Sequence, residues 1–73
     1  MPYIVEESQG QMARQKAQEK PPFGPGFTVD DAQKVGRLEL WGSSFSDPGG
    51  DWCEWRAFDA EGKLLAKRRS SGY

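Results

Sequence analysis

The stretch Asp51–Arg69, "DWCEWRAFDAEGKLLAKRR", sets two alternating segments around one turn signal. In "DAEG" (59–62), Asp59 suits the first position of a type I turn, and Gly62 can take the left-handed conformation that follows. A type I turn closed by such a glycine is a common bulged hairpin connection, so the flanks read as antiparallel strands. With Asp59 paired to Lys63, Phe58 faces Leu64, Ala57 faces Leu65, Arg56 faces Ala66, Trp55 faces Lys67 and Glu54 faces Arg68. One side of the hairpin then carries Cys53, Trp55, Ala57 and Leu65. The other carries Trp52, Glu54, Arg56, Phe58, Leu64, Ala66 and Arg68. The first side is the more apolar and is expected against the core. A slip of one residue would exchange the sides.

Upstream, "RLELW" (37–41) alternates in the same way, with Leu38 and Leu40 on one side and Arg37, Glu39 and Trp41 on the other. Asp47-Pro48-Gly49-Gly50 signals the turn between this strand and the hairpin. "TVDDAQKVG" (28–36) is punctuated as a short helix: Thr28 as N-cap, Asp31 completing a capping box, Gly36 past the end. Val29, Ala32 and Val35 form its apolar stripe. "PPFGPGF" (21–27) reads as a chain-reversing linker anchored by Phe23 and Phe27. "SQGQMARQKAQEK" (8–20) has only Met12, Ala13 and Ala17 to bury, which predicts a flexible or weakly helical arm. "PYIV" is a candidate edge strand, preceded by proline and ended by Glu6 and Glu7. The expectation is one α+β domain: a short helix on an antiparallel sheet of three to four strands. Residues 1–7 supply the fourth strand, 8–27 the arm and linker, and 28–73 the helix and the other strands.

A chain of 73 residues has room for a small core only, and such chains need disulfides, a metal, a partner or tight packing. The single cysteine excludes a disulfide within the chain, and the lack of histidine argues against a structural zinc site. A net charge of −1 creates no field that recruits nucleic acid or an acidic membrane. No apolar run is long enough for a membrane span or a signal-peptide core. With a lone thiol, this leads us to expect a cytoplasmic protein.

Cys53 has no histidine to activate it and no second thiol to resolve an oxidised form, so it reads as a small buried hydrophobe. Asp47, Asp51, Glu54 and Asp59 do not have the spacing of a calcium loop. No metal, no cofactor and no catalytic residue is expected, and the chain is not read as an enzyme. The polar side of the sheet is more informative. Arg37, Glu39, Trp41, Trp52, Glu54, Arg56, Phe58 and Arg68 gather there, and tryptophan and arginine are enriched at binding hot spots. We take Trp41, Trp52, Arg56 and Phe58 as anchors of a protein interface, with Arg37 and Glu54 as its polar rim. The competing reading is that the N-terminal arm, with Phe23 and Phe27, covers these rings. Lys67, Arg68 and Arg69 suggest an alternative, binding of single-stranded nucleic acid, but charged residues also protect edge strands. A self-associating structural protein, such as a homodimer, is the remaining alternative.

The order "PYIVEESQ", loop, capped "TVDDAQKV" helix, and strands ending in a "DAEGK" hairpin resembles compact phage-encoded proteins, including some anti-CRISPR proteins. The resemblance covers the layout of most of the chain. It implies a stoichiometric inhibitor, encoded by a phage or mobile element, that docks on a bacterial protein complex in the host cytoplasm. Many such inhibitors imitate DNA with a strongly acidic face. Interleaved signs and a net charge of −1 depart from that.

Overall fold

In the computed structural model, which describes residues 2–43 and 50–71, the elements run β1 (Tyr3–Gln9), α1 (Gly10–Glu19), α2 (Val29–Gln33), β2 (Val35–Ser43), β3 (Trp52–Asp59) and β4 (Leu64–Ser71). The strands form one antiparallel sheet in the order β1-β2-β3-β4. The protein is therefore α+β, as the strand patterns indicate. The turn expected at Asp47–Gly50 lies, apart from Gly50, outside the described residues.

Both helices fall in the connection between β1 and β2, and they pack on one side of the sheet. The core joins Ala13 and Ala17 of α1, Ala32 of α2, Val35 and Leu38 of β2, and Ala57 of β3. Phe23, Phe27 and Trp55 pack against this cluster. Most of these buried side chains are alanines, so α1 can lie close to the strands. The larger rings close the margins: Phe23 and Phe27 stand 4.8 Å apart by ring centroid. Lys16 pairs with Glu6 and extends over the Trp55 ring, 6.0 Å from its centroid.

Of the two readings of residues 8–20, the helical one holds, and the flexible one is corrected. β1 runs on to Gln9 before α1 begins. Ala13 and Ala17 are one helical turn apart, share a face and are fully buried. A ten-residue polar helix is marginal in isolation, so docking of this alanine pair is what sustains it. α1 thus occupies the place on the sheet expected for residues 28–36.

The capping box of α2 forms as its sequence indicates. Thr28 Oγ1 accepts from Asp31 N, and Asp31 Oδ2 accepts from Thr28 N, each at 3.0 Å. The helix is shorter than expected, and Val29 is exposed. Val35 and Gly36 belong to β2, where a bulge separates the Val35–Asp59 pair from the Arg37–Phe58 pair. A Cβ on Gly36 would stand 2.8 Å from Ala60 Cα, so close backbone approach, rather than helix termination, requires glycine there.

The hairpin closes as expected at Asp59–Lys63. Asp59 N donates to Lys63 O at 2.9 Å, and Gly62 N to Asp59 O at 3.1 Å. Asp59 Oδ1 also accepts from Glu61 N and Lys63 N at 2.9 Å each, and Gly62 has φ +85°. Phe58 faces Leu64, but the register then shifts. Leu65 is the extra residue of a β-bulge, so Ala57 faces Ala66, Arg56 faces Lys67, Trp55 faces Arg68 and Glu54 faces Arg69. This corrects the expected pairing beyond Leu64. Ala66 and Arg68 lie on the helix side of the sheet, and Leu65 is partly exposed instead of facing Ala57 in the core.

Candidate binding face

Period-two alternation carries Arg37, Glu39 and Trp41 of β2, and Trp52, Glu54, Arg56 and Phe58 of β3, to the side of the sheet opposite the helices. β4 adds Lys67 and Arg69 to that side. Cys53, Trp55 and Ala57 point the other way, as expected. The Cys53 thiol is buried, with Sγ 3.3 Å from Ser70 Oγ. Among the described residues, both helices and the Phe23–Phe27 linker pack on the helix side. The arm with Phe23 and Phe27 therefore does not cover the aromatic side, and among the described residues no second layer does.

The open face is a continuous chain of ring, guanidinium and carboxylate contacts. Arg37 lies over the Phe58 ring at 4.4 Å, and its Nε stands 3.0 Å from Glu39 Oε2. That Nε is buried and not aligned for a hydrogen bond, so the contact is ionic. Glu39 Oε1 accepts from the Trp41 indole N–H at 2.7 Å. Arg56 covers the Trp41 ring at 4.6 Å and donates through Nε to Glu54 Oε2 at 2.5 Å. Arg69 donates through Nε to Glu54 Oε1 at 3.1 Å and covers the Trp52 ring at 4.0 Å. Cation–π contacts of this kind contribute about 0.5–2 kcal/mol each, more as they are desolvated.

Glu54 is the hub, with only 3% of its surface exposed. Burial alone pushes its carboxyl upward. The hydrogen bonds and charges of Arg56 and Arg69 outweigh burial and hold the pKa below its ordinary value. Glu39 is also buried. The two carboxylates fix the guanidinium planes from beneath, so the arginines present their remaining N–H groups in a set orientation.

All six residues read from the sequence as partner-binding lie on this one face. Glu54 is placed as an internal anchor, not as polar rim. Glu39 and Arg69 join the network; the sequence reading put Glu39 on this face but not among its anchors or rim, and placed Arg69 only in a nucleic-acid site. The signal for Arg69 was the apolar triplet Leu64-Leu65-Ala66, which cannot alternate and marks the bulge that brings Arg69 opposite Glu54. The basic trio does not form one patch. Lys67 and Arg69 are on the open face, and Arg68 is on the helix side, its guanidinium against Gly24 of the linker. One π-face of each of Trp41, Trp52 and Phe58 is also taken by an arginine.

Among the described residues, no three His, Cys, Asp or Glu side chains come together as a metal site, and no helix is long and apolar enough to cross a membrane. Comparisons with protein-family models, with curated proteins and with solved structures give no match.

Proposed function

We propose that the protein is a non-catalytic protein-interaction module that docks through the open face of its sheet. The observation that carries this reading is the network from Phe58 to Trp52, uncovered by the helices, with its arginines held on rings and carboxylates before any partner arrives. Preorganised aromatic and arginine side chains lose little freedom on binding, which is how a small surface gains affinity. Guanidinium edges suit acceptors on a partner, such as carboxylates or backbone carbonyls. The layout-level likeness to phage-encoded inhibitors supports a narrower form: a stoichiometric inhibitor acting on a bacterial protein complex in the host cytoplasm. Stacking of nucleic-acid bases is the weaker reading, because it needs free ring faces and a shared basic patch.

The test is capture of a partner from host lysate, followed by affinity measurement with Trp52→Ala and Arg56→Ala. Each variant should weaken binding by roughly thirtyfold, the effect of a hot spot worth about 2 kcal/mol, while the fold persists by circular dichroism. Unchanged affinity in both folded variants would sink the proposal. So would recovery of nucleic acid alone, bound in a steeply salt-dependent way.

A further inference from the structure

Both margins of the sheet end in strands with a free edge. Among the described residues, β1 pairs only with β2, and β4 only with β3. An edge strand exposes unpaired N–H and C=O groups and is a template for another strand. The two edges carry opposite charge: β1 has Glu6 and Glu7, and β4 has Lys67, Arg68 and Arg69. Pairing β1 with β1, or β4 with β4, brings like charges opposite one another and is disfavoured. Pairing β1 with β4 brings opposite charges together.

Direction and sidedness agree with that combination. In the order β1-β2-β3-β4, neighbouring strands alternate, so β1 and β4 run in opposite directions. A second copy set beside the first in the same orientation therefore continues the sheet as an antiparallel one, with its helices on the same side. Glu6 and Arg68 are both on the helix side, while Glu7 and Lys67 are both on the open side. An antiparallel register that sets Glu6 opposite Arg68 also sets Glu7 opposite Lys67, because one position advances as the other retreats. Ser8 then meets Ala66, a small side chain with no steric conflict. A bulge follows Ile4 in β1 and another follows Leu64 in β4, so regular pairing is confined to the charged segments between them.

We propose that β1 of one copy pairs with β4 of the next, through Glu6–Arg68 and Glu7–Lys67, to give head-to-tail self-association. Such an interface does not close on itself in a pair and builds species larger than a dimer. It uses the sheet edges and stands apart from the reading of the open face. Glu7 and Lys67 are the useful handles. Both are exposed, Glu7 accepts only from Gln9, and Lys67 forms no ion pair among the described residues.

Sedimentation velocity over a wide concentration range at low salt tests the proposal. The expected mass rises past two chains and falls when salt is added, because the paired charges are exposed. Glu7→Lys and Lys67→Glu should each abolish the rise, and an equimolar mixture of the two should restore it. The milder Glu7→Gln and Lys67→Gln variants should weaken association in the same sense. A mass of one chain up to millimolar concentration overturns the proposal. So does a plateau at two chains, or association that survives both charge reversals. Trp52 and Arg56 are untouched in these variants, so failure here leaves the partner-binding reading to its own test.

Discussion

Arg69 donates from Nε to Oε1 of Glu54 at 3.1 Å, straight across the β3–β4 pair. Arg56 holds the other oxygen of the same carboxylate, so one buried charge orders two guanidiniums, and each guanidinium lies over a tryptophan. The open face is thus built around an acid hidden beneath it.

Glu54→Gln removes that charge at nearly constant shape. Both arginine side chains are partly solvated, so the loss is smaller than for a fully buried pair, about 1–2 kcal/mol. The expected result is a lower urea midpoint with an unchanged denaturant slope. Stability equal to that of the parent would show that the network contributes only orientation.

Acid should weaken the fold for the same reason. The folded pKa of Glu54 lies below the unfolded one, so its contribution is present above the unfolded value and is lost as pH falls through the folded value. The decline begins near the ordinary glutamate pKa of about 4.3 and continues to lower pH. Asp31 behaves alike, because the backbone and hydroxyl of Thr28 hydrogen-bond its carboxylate. Urea midpoints measured from neutral pH downward should fall less steeply in Glu54→Gln than in the parent.

Gly36→Ala should destabilise by about 1–3 kcal/mol, because the new methyl meets the Ala60 backbone, which cannot rotate away. Gly26→Ala is the control. No atom stands within 4 Å of its added carbon, and its stability should stay level or rise by up to ~1 kcal/mol. Thermal melts of the two variants check the contrast.

Thr28→Ala removes the hydroxyl that accepts from Asp31 N and should cost about 1 kcal/mol. α2 is only five residues long, yet it places Ala32 in the core, so the loss should appear in global unfolding. Faster hydrogen exchange confined to residues 28–34, with no change in the melt, would instead mark α2 as a unit that opens by itself.

Local chemistry made much of this fold legible. The capping box, the Asp59–Gly62 turn and the sides assigned to Leu38, Trp41, Cys53 and Glu54 all follow from interactions within a few residues. The polar helix α1 was less legible, because its two buried alanines are too weak a signal until a sheet stands beside them. Gly36 was misread as a helix stop, because the close approach of Ala60 comes from the β3–β4 turn, which lies distant in the chain.

Sequence alone determined which residues could share a face, since alternation is a property of one strand. Whether that face stays open, and which arginine meets Glu54, was decided only by the tertiary structure. The helices pack where Ala13, Ala17 and Ala32 can approach the strands most closely, which among the described residues leaves the bulkier Trp and Arg side uncovered. The bulge at Leu65 then turns Arg69, in place of Arg68, toward that side. The first outcome depends on contacts between segments far apart in the chain, which no local pattern encodes; the second rests on strand pairing within the hairpin, whose only local trace is the non-alternating Leu64-Leu65-Ala66.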